Sequence, residues 1–345
     1  MGLNGQGMPM PDARAVPIED LHLAEVPCDY CGETEADVLL TGRDRFCGLP
    51  GEFHVVACRR CGLRRTNPQP TGPGLAAAYP EAYSPHRADV TVPPAPAGSL
   101  RWVLANYRHY PLGHRSPAAV RWLAWPWAAL RLRNRKFVGY LAYEGDGRLL
   151  DLGCSIGQYV AEMQAAGWQA EGVDLVPEAI ATGRRAGLNL HQGTLPGIDL
   201  PRDHYDLVTM WHVIEHLPAP KATLEAIRGI LKPGGRLALA CPLSDSLGAR
   251  WFGSAWYGLD LPRHLTHFTR PALRRHLEAA GLAVERTQSV RRPTFVRRSY
   301  GYLADETGSG LHRWLSRSRM VARLMSHAAL AARRTDEVLV VARRV

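Results

Sequence analysis

Long apolar runs, an export signal and internal repeats are all missing from this chain of 345 residues. No stretch of 18 or more apolar residues is present, so the sequence predicts no membrane-spanning helix. The N-terminus is rich in Gly, Pro and Met without the apolar segment of a signal peptide, so we expect a disordered leader over residues 1–25. No repeat of solenoid period is visible, which excludes repeat architectures. These absences favour a cytoplasmic globular protein and leave membrane association open.

Acidic residues are missing from residues 90–143, which hold eight Arg or Lys. Residues 291–335 hold ten Arg against two acids, while the whole chain carries a net charge of only +10. This regional basicity indicates either a local anionic partner or two solvated basic faces. Both segments also contain Trp and apolar residues at helical spacing. They are interpreted as a lid, as a surface for anionic membrane or a lipid-linked acceptor, or as a nucleic-acid surface; the last lacks any nucleic-acid motif.

The cysteines form two C-x-x-C-G motifs, at Cys28, Cys31 and at Cys58, Cys61. In each motif the Gly permits a tight turn that directs two thiolates at one ion. Two such turns predict a tetrahedral, structural Zn²⁺ site of the ribbon type over residues 26–70. A module this small has little core, so the metal would supply most of its folding energy.

The rest of the chain divides into a connector over residues 71–145 and an alternating region over residues 146–345. The connector begins Pro-rich and becomes helical, and Pro126 interrupts an apolar stripe formed by Leu123, Trp127, Leu130, Phe137 and Leu141. Strand and helix patterns then alternate. The predicted helices are 159–166, 177–186, 220–231, which ends at Lys232-Pro-Gly-Gly, and 271–280; the predicted strands are 148–154, 169–174, 188–191, 205–212, 236–241, 282–290 and 337–343. Residues 291–335 form a basic helical insert before the last strand. Strands that alternate with helices of 10 to 15 residues predict an α/β fold with a parallel, doubly wound sheet.

The most specific motif is a glycine-rich turn after a buried strand, from Leu150 to Gly157. Its G-x-x-x-G spacing differs from the G-x-G-x-x-G of dinucleotide-binding folds. Asp151 would repel a pyrophosphate but can accept a hydrogen bond from the ammonium group of a methionine moiety. Asp174 ends the next strand, where a carboxylate suits two ribose hydroxyls; the alternative is a simple helix cap.

The stretches LLDLGCSIGQYVAEMQAAGWQAEGVDLVPEAI, YDLVTMWHVIEHLPAP, LKPGGRLALACP and WYGLDLPRHLTHFTRPALRRHLEAAGL resemble class I S-adenosylmethionine-dependent methyltransferases, a group that includes quinone and sugar O-methyltransferases. The resemblance implies a Rossmann-like, seven-stranded, mostly parallel sheet with S-adenosylmethionine as methyl donor. Many members have Gly in place of Ser155 and an acid near Thr194. The expected cofactor-binding residues are Asp151, Gly153, Cys154, Ser155, Gly157, Tyr159, Asp174, Leu175, Thr194, Leu195 and Trp211.

Histidines supply the candidate catalytic bases. Transfer of a methyl group to a hydroxyl requires removal of a proton, and His is the usual base. His264 and His267 are the first candidates and His212 is the next. Quinone O-methyltransferases have Glu in place of His212, and the resemblance associates their acidic and His positions with a divalent metal. Only Glu215 and His216 match that pattern, so no metal is predicted there.

Arg263, beside these histidines, could hold an anionic group of the acceptor. The sequence thus predicts methyl transfer to a small-molecule acceptor, with a hydroxyl of a sugar, glycoconjugate or natural product favoured by the resemblance. The alternatives are C-methylation of a nucleotide-linked keto-sugar, RNA methylation, or a binding module without activity. The intact set of Asp151, Gly153, Gly157 and Asp174 argues against the last.

Overall fold

A computed structural model of the chain describes residues 17–79, 89–132 and 140–345. Residues 1–16 of the expected leader lie outside the described residues. The rest of that leader is structured, because a 3₁₀ helix spans Ile18–Leu21, strand β1 spans Leu23–Ala24, and the Leu21 side chain is fully buried. Residues 17–25 of the predicted leader are therefore ordered.

A seven-stranded sheet confirms the predicted α/β class. Its strands are β6 (Arg148–Leu152), β7 (Gln169–Asp174), β8 (Leu190–Gln192), β9 (Tyr205–Trp211), β10 (Leu231–Pro242), β12 (Leu282–Val290) and β13 (Glu337–Arg344). The order across the sheet is β12-β13-β10-β9-β6-β7-β8. Strand β6 pairs in parallel with β7 and β9, and β7 pairs in parallel with β8. The carboxyl ends of β6, β7 and β8 consequently lie at one edge, where ligands bind in open α/β sheets.

The helices that alternate with these strands begin and end close to the predicted positions. They are α4 (Gln158–Ala165), α5 (Pro177–Arg185), α6 (Pro220–Ile230) and α8 (Arg270–Ala279). The Lys232-Pro-Gly-Gly segment follows α6, as predicted, but it already belongs to β10. The start of helix α8 could be predicted because Thr269 is a favourable capping residue. Its side chain accepts a hydrogen bond from the amide of Ala272.

The described chain divides into two compact units. The first unit comprises residues 1–84, 211–225 and 239–342. The second comprises residues 85–210, 226–238 and 343–345.

The first unit contains the cysteine pairs and a second, antiparallel sheet of order β11-β4-β3-β2. These strands are β2 (Ala36–Gly42), β3 (Phe53–Cys58), β4 (Arg64–Thr66) and β11 (Thr266–His267). Strand β1 pairs separately with β5 (Gln69–Pro70). Strand β11 comes from the predicted catalytic block, so that block and the cysteine-rich segment form one sheet.

Five further helices belong to the first unit: α1 (Pro73–Ala77), α7 (Leu247–Phe252), α9 (Pro293–Thr307), α10 (Gly310–Arg317) and α11 (Arg319–Ala331). The last three make up the predicted basic insert. Val296 of α9 and Ala322 of α11 join the same apolar cluster as Leu21, Phe53 and Trp256. The insert is therefore anchored in the core of this unit.

The second unit contains the glycine-rich turn and the connector helices α2 (Gly98–Tyr107) and α3 (Ala118–Leu132). The sequence predicted that Pro126 interrupts the connector helix, but α3 runs through it. Val103 and Ala128 form a small buried cluster between α2 and α3. Phe137, part of the predicted apolar stripe, lies outside the described residues. No described helix of the chain is long and apolar enough to cross a membrane.

Candidate functional site

Asp151 lies on β6, fully within the second unit, and is buried. The Thr209 hydroxyl of β9 donates a 2.6 Å hydrogen bond to its Oδ1. Burial and the charge of Asp174 raise the pKa of the Asp151 carboxyl to about 7, although the Thr209 bond acts in the opposite direction. A buried carboxylate with this pKa lacks a cation, and a ligand ammonium would supply one.

The turn after β6 contains three residues in left-handed conformation. The φ angles are 74° at Gly153, 51° at Ser155 and 84° at Gly157. Glycine has no steric penalty there, which explains why related proteins favour it where this chain has Ser155. A Cβ on Gly157 would lie 2.7 Å from Leu188 Cδ1. The backbone angle at Gly157 and its packing against Leu188 therefore both favour glycine at this position.

The position of Asp174 permits both roles that the sequence left open, a contact with ribose hydroxyls and a hydrogen bond at the start of a helix. Its Oδ2 accepts a 2.7 Å hydrogen bond from the amide of Ser155, and its Oδ1 accepts one of 3.0 Å from Val176. These bonds hold the turn against the start of α5. Each carboxylate oxygen retains a lone pair, so the residue can still accept hydrogen bonds from ribose hydroxyls.

The remaining predicted cofactor residues differ in accessibility. Cys154, Tyr159 and Leu195 are buried, Leu175 is exposed, and Thr194 is partly buried. Thr194 and Leu195 follow β8 directly, and the amide of the intervening Gly193 donates to the Asp174 carbonyl at 2.9 Å. The structure thus gathers ten of the eleven predicted residues at the ends of three neighbouring strands. Trp211 is the exception, because it belongs to the first unit.

His212, in the first unit, lies between two buried carboxylates. Its Nδ1 is 3.4 Å from Glu215 Oε1, and its Nε2 is 3.3 Å from Glu337 Oε2. Desolvation opposes the charged imidazolium, but the charges and hydrogen bonds of Glu337 and Glu215 outweigh it and raise the pKa of His212 to about 10. His212 is therefore protonated near neutral pH, and with 36% of its side chain exposed it can donate a proton or stabilise negative charge.

His264 and His267, the first candidate bases, are both buried. The Thr66 hydroxyl donates to the His264 carbonyl at 2.7 Å, so it accepts from Nε2 of His267, which lies 3.0 Å away. Burial, reinforced by Arg64, lowers the pKa of His267 to about 3. Burial and the neighbouring His216 also hold the pKa of His264 well below its usual range. Both imidazoles are neutral and both are weak bases in the free protein, although the charge of Glu215 acts to raise the pKa of His264.

Arg263 does not face an acceptor, contrary to our expectation. Its guanidinium is fully buried and binds Asp44 through two hydrogen bonds, of 2.6 and 2.9 Å. A third bond of 2.7 Å runs to Asp260, and a fourth of 3.2 Å to the Ala78 carbonyl. The buried charge is thus fully paired, so Arg263 holds the loop in place and is unavailable to an anionic substrate.

Glu215, His216 and His264 form a group that the sequence did not predict as a unit. Their ligand atoms lie within 4.8 Å of one another. Nδ1 of His216 is 3.0 Å from the Arg263 carbonyl, and Nδ1 of His264 is 3.0 Å from the Gly258 carbonyl. Because carbonyls only accept, the bond to Gly258 places the His264 proton on Nδ1 and leaves the Nε2 lone pair of His264 available. Nδ1 of His216 also lies 2.9 Å from the Tyr79 hydroxyl, which can donate to it or accept from it.

Apart from the 3.4 Å contact between Oε1 and Nδ1 of His212, the Glu215 oxygens have no hydrogen-bond donor among the residues that the structure describes. A buried carboxylate beside two imidazole rings can receive a proton or a divalent cation. Sequence reasoning missed this group because His264 is 48 positions after His216 along the chain. Each residue had been considered, but no local spacing joins them.

The four predicted cysteines also meet in the first unit. The Sγ atoms of Cys28 and Cys61 are 3.5 Å apart, as are those of Cys31 and Cys58. The two turns are equivalent, because the amides of Gly32 and Gly62 donate to the carbonyls of Cys28 and Cys58 at 2.8 and 2.9 Å. Thiolates bound to one tetrahedral zinc ion are roughly 3.8 Å apart, so this arrangement fits Zn²⁺.

A cavity of about 410 Å³ lies beside α2 and α3 in the second unit. Its lining combines two arginines with aromatic and amide side chains, and contains no acidic residue. The lining residues are Asn106, Tyr107, His109, Arg115, Ala118, Arg121, Trp122 and Trp125. Guanidinium groups beside indole rings suit a ligand that has both an anionic group and a ring.

Comparisons with known proteins agree with the geometry at the strand ends. The family model described as "Methyltransferase domain" matches residues 120–287. The Ubiquinone biosynthesis O-methyltransferase of Xanthomonas axonopodis pv. citri is 29% identical over 203 residues, which are 52% of this chain and 83% of that protein. The protein of the same name from Aromatoleum aromaticum is 28% identical, over 53% of this chain and 77% of its own length.

Among solved structures, an S-adenosylmethionine-dependent methyltransferase from Mesorhizobium loti is 20% identical. The match covers 64% of this chain and 97% of that chain, with a TM-score of 0.41. The family match, the related sequences and the glycine-rich turn with its two aspartates agree with one another. Residues 120–287 therefore carry a methyltransferase domain of the class I, S-adenosylmethionine-dependent kind.

Proposed function

We propose that this methyltransferase transfers the methyl group of S-adenosylmethionine to an oxygen of a small molecule, a hydroxyl of a sugar, glycoconjugate or natural product. The observation that carries the proposal is the buried group of Glu215, His216 and His264, since a hydroxyl acceptor needs a proton acceptor. The related proteins named as O-methyltransferases support transfer to oxygen.

The second unit would bind the cofactor. In this proposal Asp151 accepts a hydrogen bond from the methionine ammonium and Asp174 accepts two from the ribose. Leu175, Thr194 and Leu195 would contact the adenosine. The ammonium would also neutralise Asp151, whose pKa burial has raised to about 7.

The reaction is an in-line displacement that needs little chemistry from the protein. The acceptor oxygen forms a bond to the methyl carbon, the carbon–sulfur bond breaks, and S-adenosylhomocysteine leaves with the electron pair of that bond. Alignment of the reactants supplies up to roughly 7–11 kcal/mol of the barrier reduction in favourable cases. The proton of the acceptor hydroxyl passes to a base, and the product is a methyl ether.

We assign the base to the Nε2 lone pair of His264, with His216 in the same group as its alternative. Glu215 would stabilise the imidazolium that forms. His212 is already protonated, so it would stabilise developing negative charge instead of accepting the proton. His267 donates Nε2–H to Thr66 and would orient the segment.

The same three residues also fit a divalent cation, although the sequence predicted no metal there. The Glu215 carboxylate, whose only close cationic neighbour among the described residues is His212 at 3.4 Å, and the ring nitrogens of His216 and His264 are the ligands that such an ion would take. When bound, the ion would lower the pKa of the acceptor hydroxyl. The cysteines, by contrast, would hold a structural Zn²⁺ with all four positions filled.

The test is a panel of hydroxyl and keto acceptors incubated with S-adenosylmethionine carrying a labelled methyl group. The proposal expects label in an O-methyl product, identified by nuclear magnetic resonance. His264→Ala should lower turnover without loss of cofactor binding, whereas a product labelled only on carbon or nitrogen contradicts the proposal.

A second candidate is methylation at carbon of a nucleotide-linked keto-sugar. The cavity beside α2 and α3 favours it, because Arg115 and Arg121 can bind a diphosphate while Trp122 and Trp125 stack on a base. Competition of nucleoside diphosphates with an acceptor would support this candidate. Retained nucleotide binding by an Arg115→Gln, Arg121→Gln variant would remove its support.

A further inference from the structure

The insert helices α10 and α11 present an apolar face that nothing else in the described chain covers. Leu311 and Trp314 of α10 are 64% and 58% exposed, and Leu324 of α11 is 63% exposed. Leu311 and Trp314 are three residues apart and so share one side of α10. No side chain of α10 is buried. The apolar residues on this surface therefore do not serve only to pack a lid, as one interpretation of the sequence held.

The opposite side of α11 fixes the pair to the body of the first unit. Ala322, Ser326 and Ala329 are buried, at the spacing of one helical face. At 3.6 residues per turn, Met320 and Leu324 lie roughly opposite that face. The Arg297 side chain of α9 donates a 2.9 Å hydrogen bond to the Ser316 carbonyl at the end of α10. The exposed apolar side chains are consequently held outward by a fixed scaffold.

The charge around these apolar residues is of one sign. Arg313, Arg317, Arg319 and Arg323 are all exposed, and no acidic residue occurs between Glu306 and Asp336. A helix with a charged, Arg-rich face and a Trp- and Leu-containing face is typical of segments that lie in a membrane interface. A second copy of the chain would bring the same positive charge to this surface and be repelled. A nucleic acid would leave the apolar side chains without a partner.

We propose that the surface formed by α10 and α11 docks on an anionic phospholipid membrane. Trp314, Leu311 and Leu324 would enter the interface while the arginines contact the headgroups. Membrane docking would bring the enzyme close to a lipid-linked acceptor. Only this choice of acceptor rests on the proposed function. Docking itself requires no acceptor, so the two can fail separately.

The experiment is co-sedimentation of the full chain with vesicles of phosphatidylcholine, with and without phosphatidylserine, across a salt series. The proposal expects binding only to vesicles that contain phosphatidylserine. Arg317→Gln should weaken it about fivefold, the equivalent of roughly 1 kcal/mol per arginine near the surface. Trp314→Ala should remove the part of the binding that persists at high salt.

Arg250→Gln and Trp251→Ala are matched controls, because this Arg and Trp are also exposed, on α7 of the same unit. The controls should bind vesicles like the wild type, and all variants should retain wild-type affinity for S-adenosylmethionine. Equal binding to neutral vesicles, equal losses in the controls, no vesicle binding, or binding to a single-stranded RNA alone would each overturn the proposal.

Discussion

Binding of S-adenosylmethionine should weaken as the pH falls from 7.5 to 5.5, because Asp151 must be ionised to pair with the ligand ammonium. Burial and Asp174 raise the pKa of this carboxyl to about 7 in the free protein. Below that pH the carboxyl carries a proton, which has to leave when the ammonium binds. The ligand ammonium itself stays charged in this range, since α-amino groups titrate near pH 8.

The expected change in the apparent Kd follows from the fraction of the protein in which the Asp151 carboxyl has to lose a proton. With a pKa of about 7, the apparent Kd should be roughly 25-fold larger at pH 5.5 than at pH 7.5. The raised pKa of Asp151 has the opposite effect on the free energy of unfolding of the free protein, which should fall as the pH rises. A raised carboxyl pKa means that the free native state binds more protons than the unfolded chain between about pH 4 and 7. Its stability should therefore decrease as the pH rises through that window, by on the order of 4 kcal/mol.

Asp151→Asn should remove both effects. The variant should bind the cofactor more weakly at pH 7.5 and with almost no dependence on pH. Isothermal titration calorimetry in buffers of different ionisation enthalpy measures the affinity and the protons released. Asp199→Asn is the control, because this exposed carboxylate is in the same unit. A wild-type affinity that is flat between pH 5.5 and 7.5, or an Asn variant with the wild-type slope, would refute the reasoning.

Three further predictions test the other assigned residues. Asp174→Ala should weaken cofactor binding at least tenfold, about 1.4 kcal/mol, and unchanged affinity by calorimetry would contradict the ribose contact. The wild type should contain one zinc per chain by elemental analysis, while Cys58→Ser should lose zinc and melt at a lower temperature; full occupancy with the same Tm would exclude the site. His264→Ala should lower kcat with little change in cofactor affinity, and His267→Ala should do so less; wild-type kcat in both would place the base elsewhere.

The strands and helices of residues 146–345 could be predicted because the patterns that specify them are local in the sequence. Strands β7 and β12 have the bounds that the sequence predicts, Gln169–Asp174 and Leu282–Val290. Each is a short β-type segment between helix-ending glycines or prolines. Strand β11 could not be predicted, because it has only two residues and pairs with β4, which lies about 200 positions earlier in the chain. Nothing in its own sequence marks it as a strand.

The candidate site was predictable in its cofactor half and only partly in its histidine half. The glycine-rich turn is a contiguous motif, so its residues identify one another. No contiguous motif indicates that Arg263 is buried, because its ion-pair partner Asp44 is 219 positions away. Charged residues are usually exposed, and that expectation fails when a distant carboxylate pairs with the charge. The protonation of His212 likewise depends on Glu337, which follows it by 125 positions.

The cysteine-rich segment and the histidines belong to one structural unit, which changes how a loss of zinc has to be interpreted. Strand β4 follows the second cysteine turn and pairs with β11, which contains His267. Thr66 on β4 holds both the His264 carbonyl and the His267 ring. If zinc stabilises the fold of this segment, its removal displaces β4 and with it the proposed base. A chelated enzyme would then lose activity although all four zinc positions are filled by thiols and none is open to substrate. Inactivation by chelators would therefore not by itself distinguish the cysteine site from a divalent ion at Glu215, His216 and His264, whereas a Cys58→Ser variant compared with Glu215→Gln would.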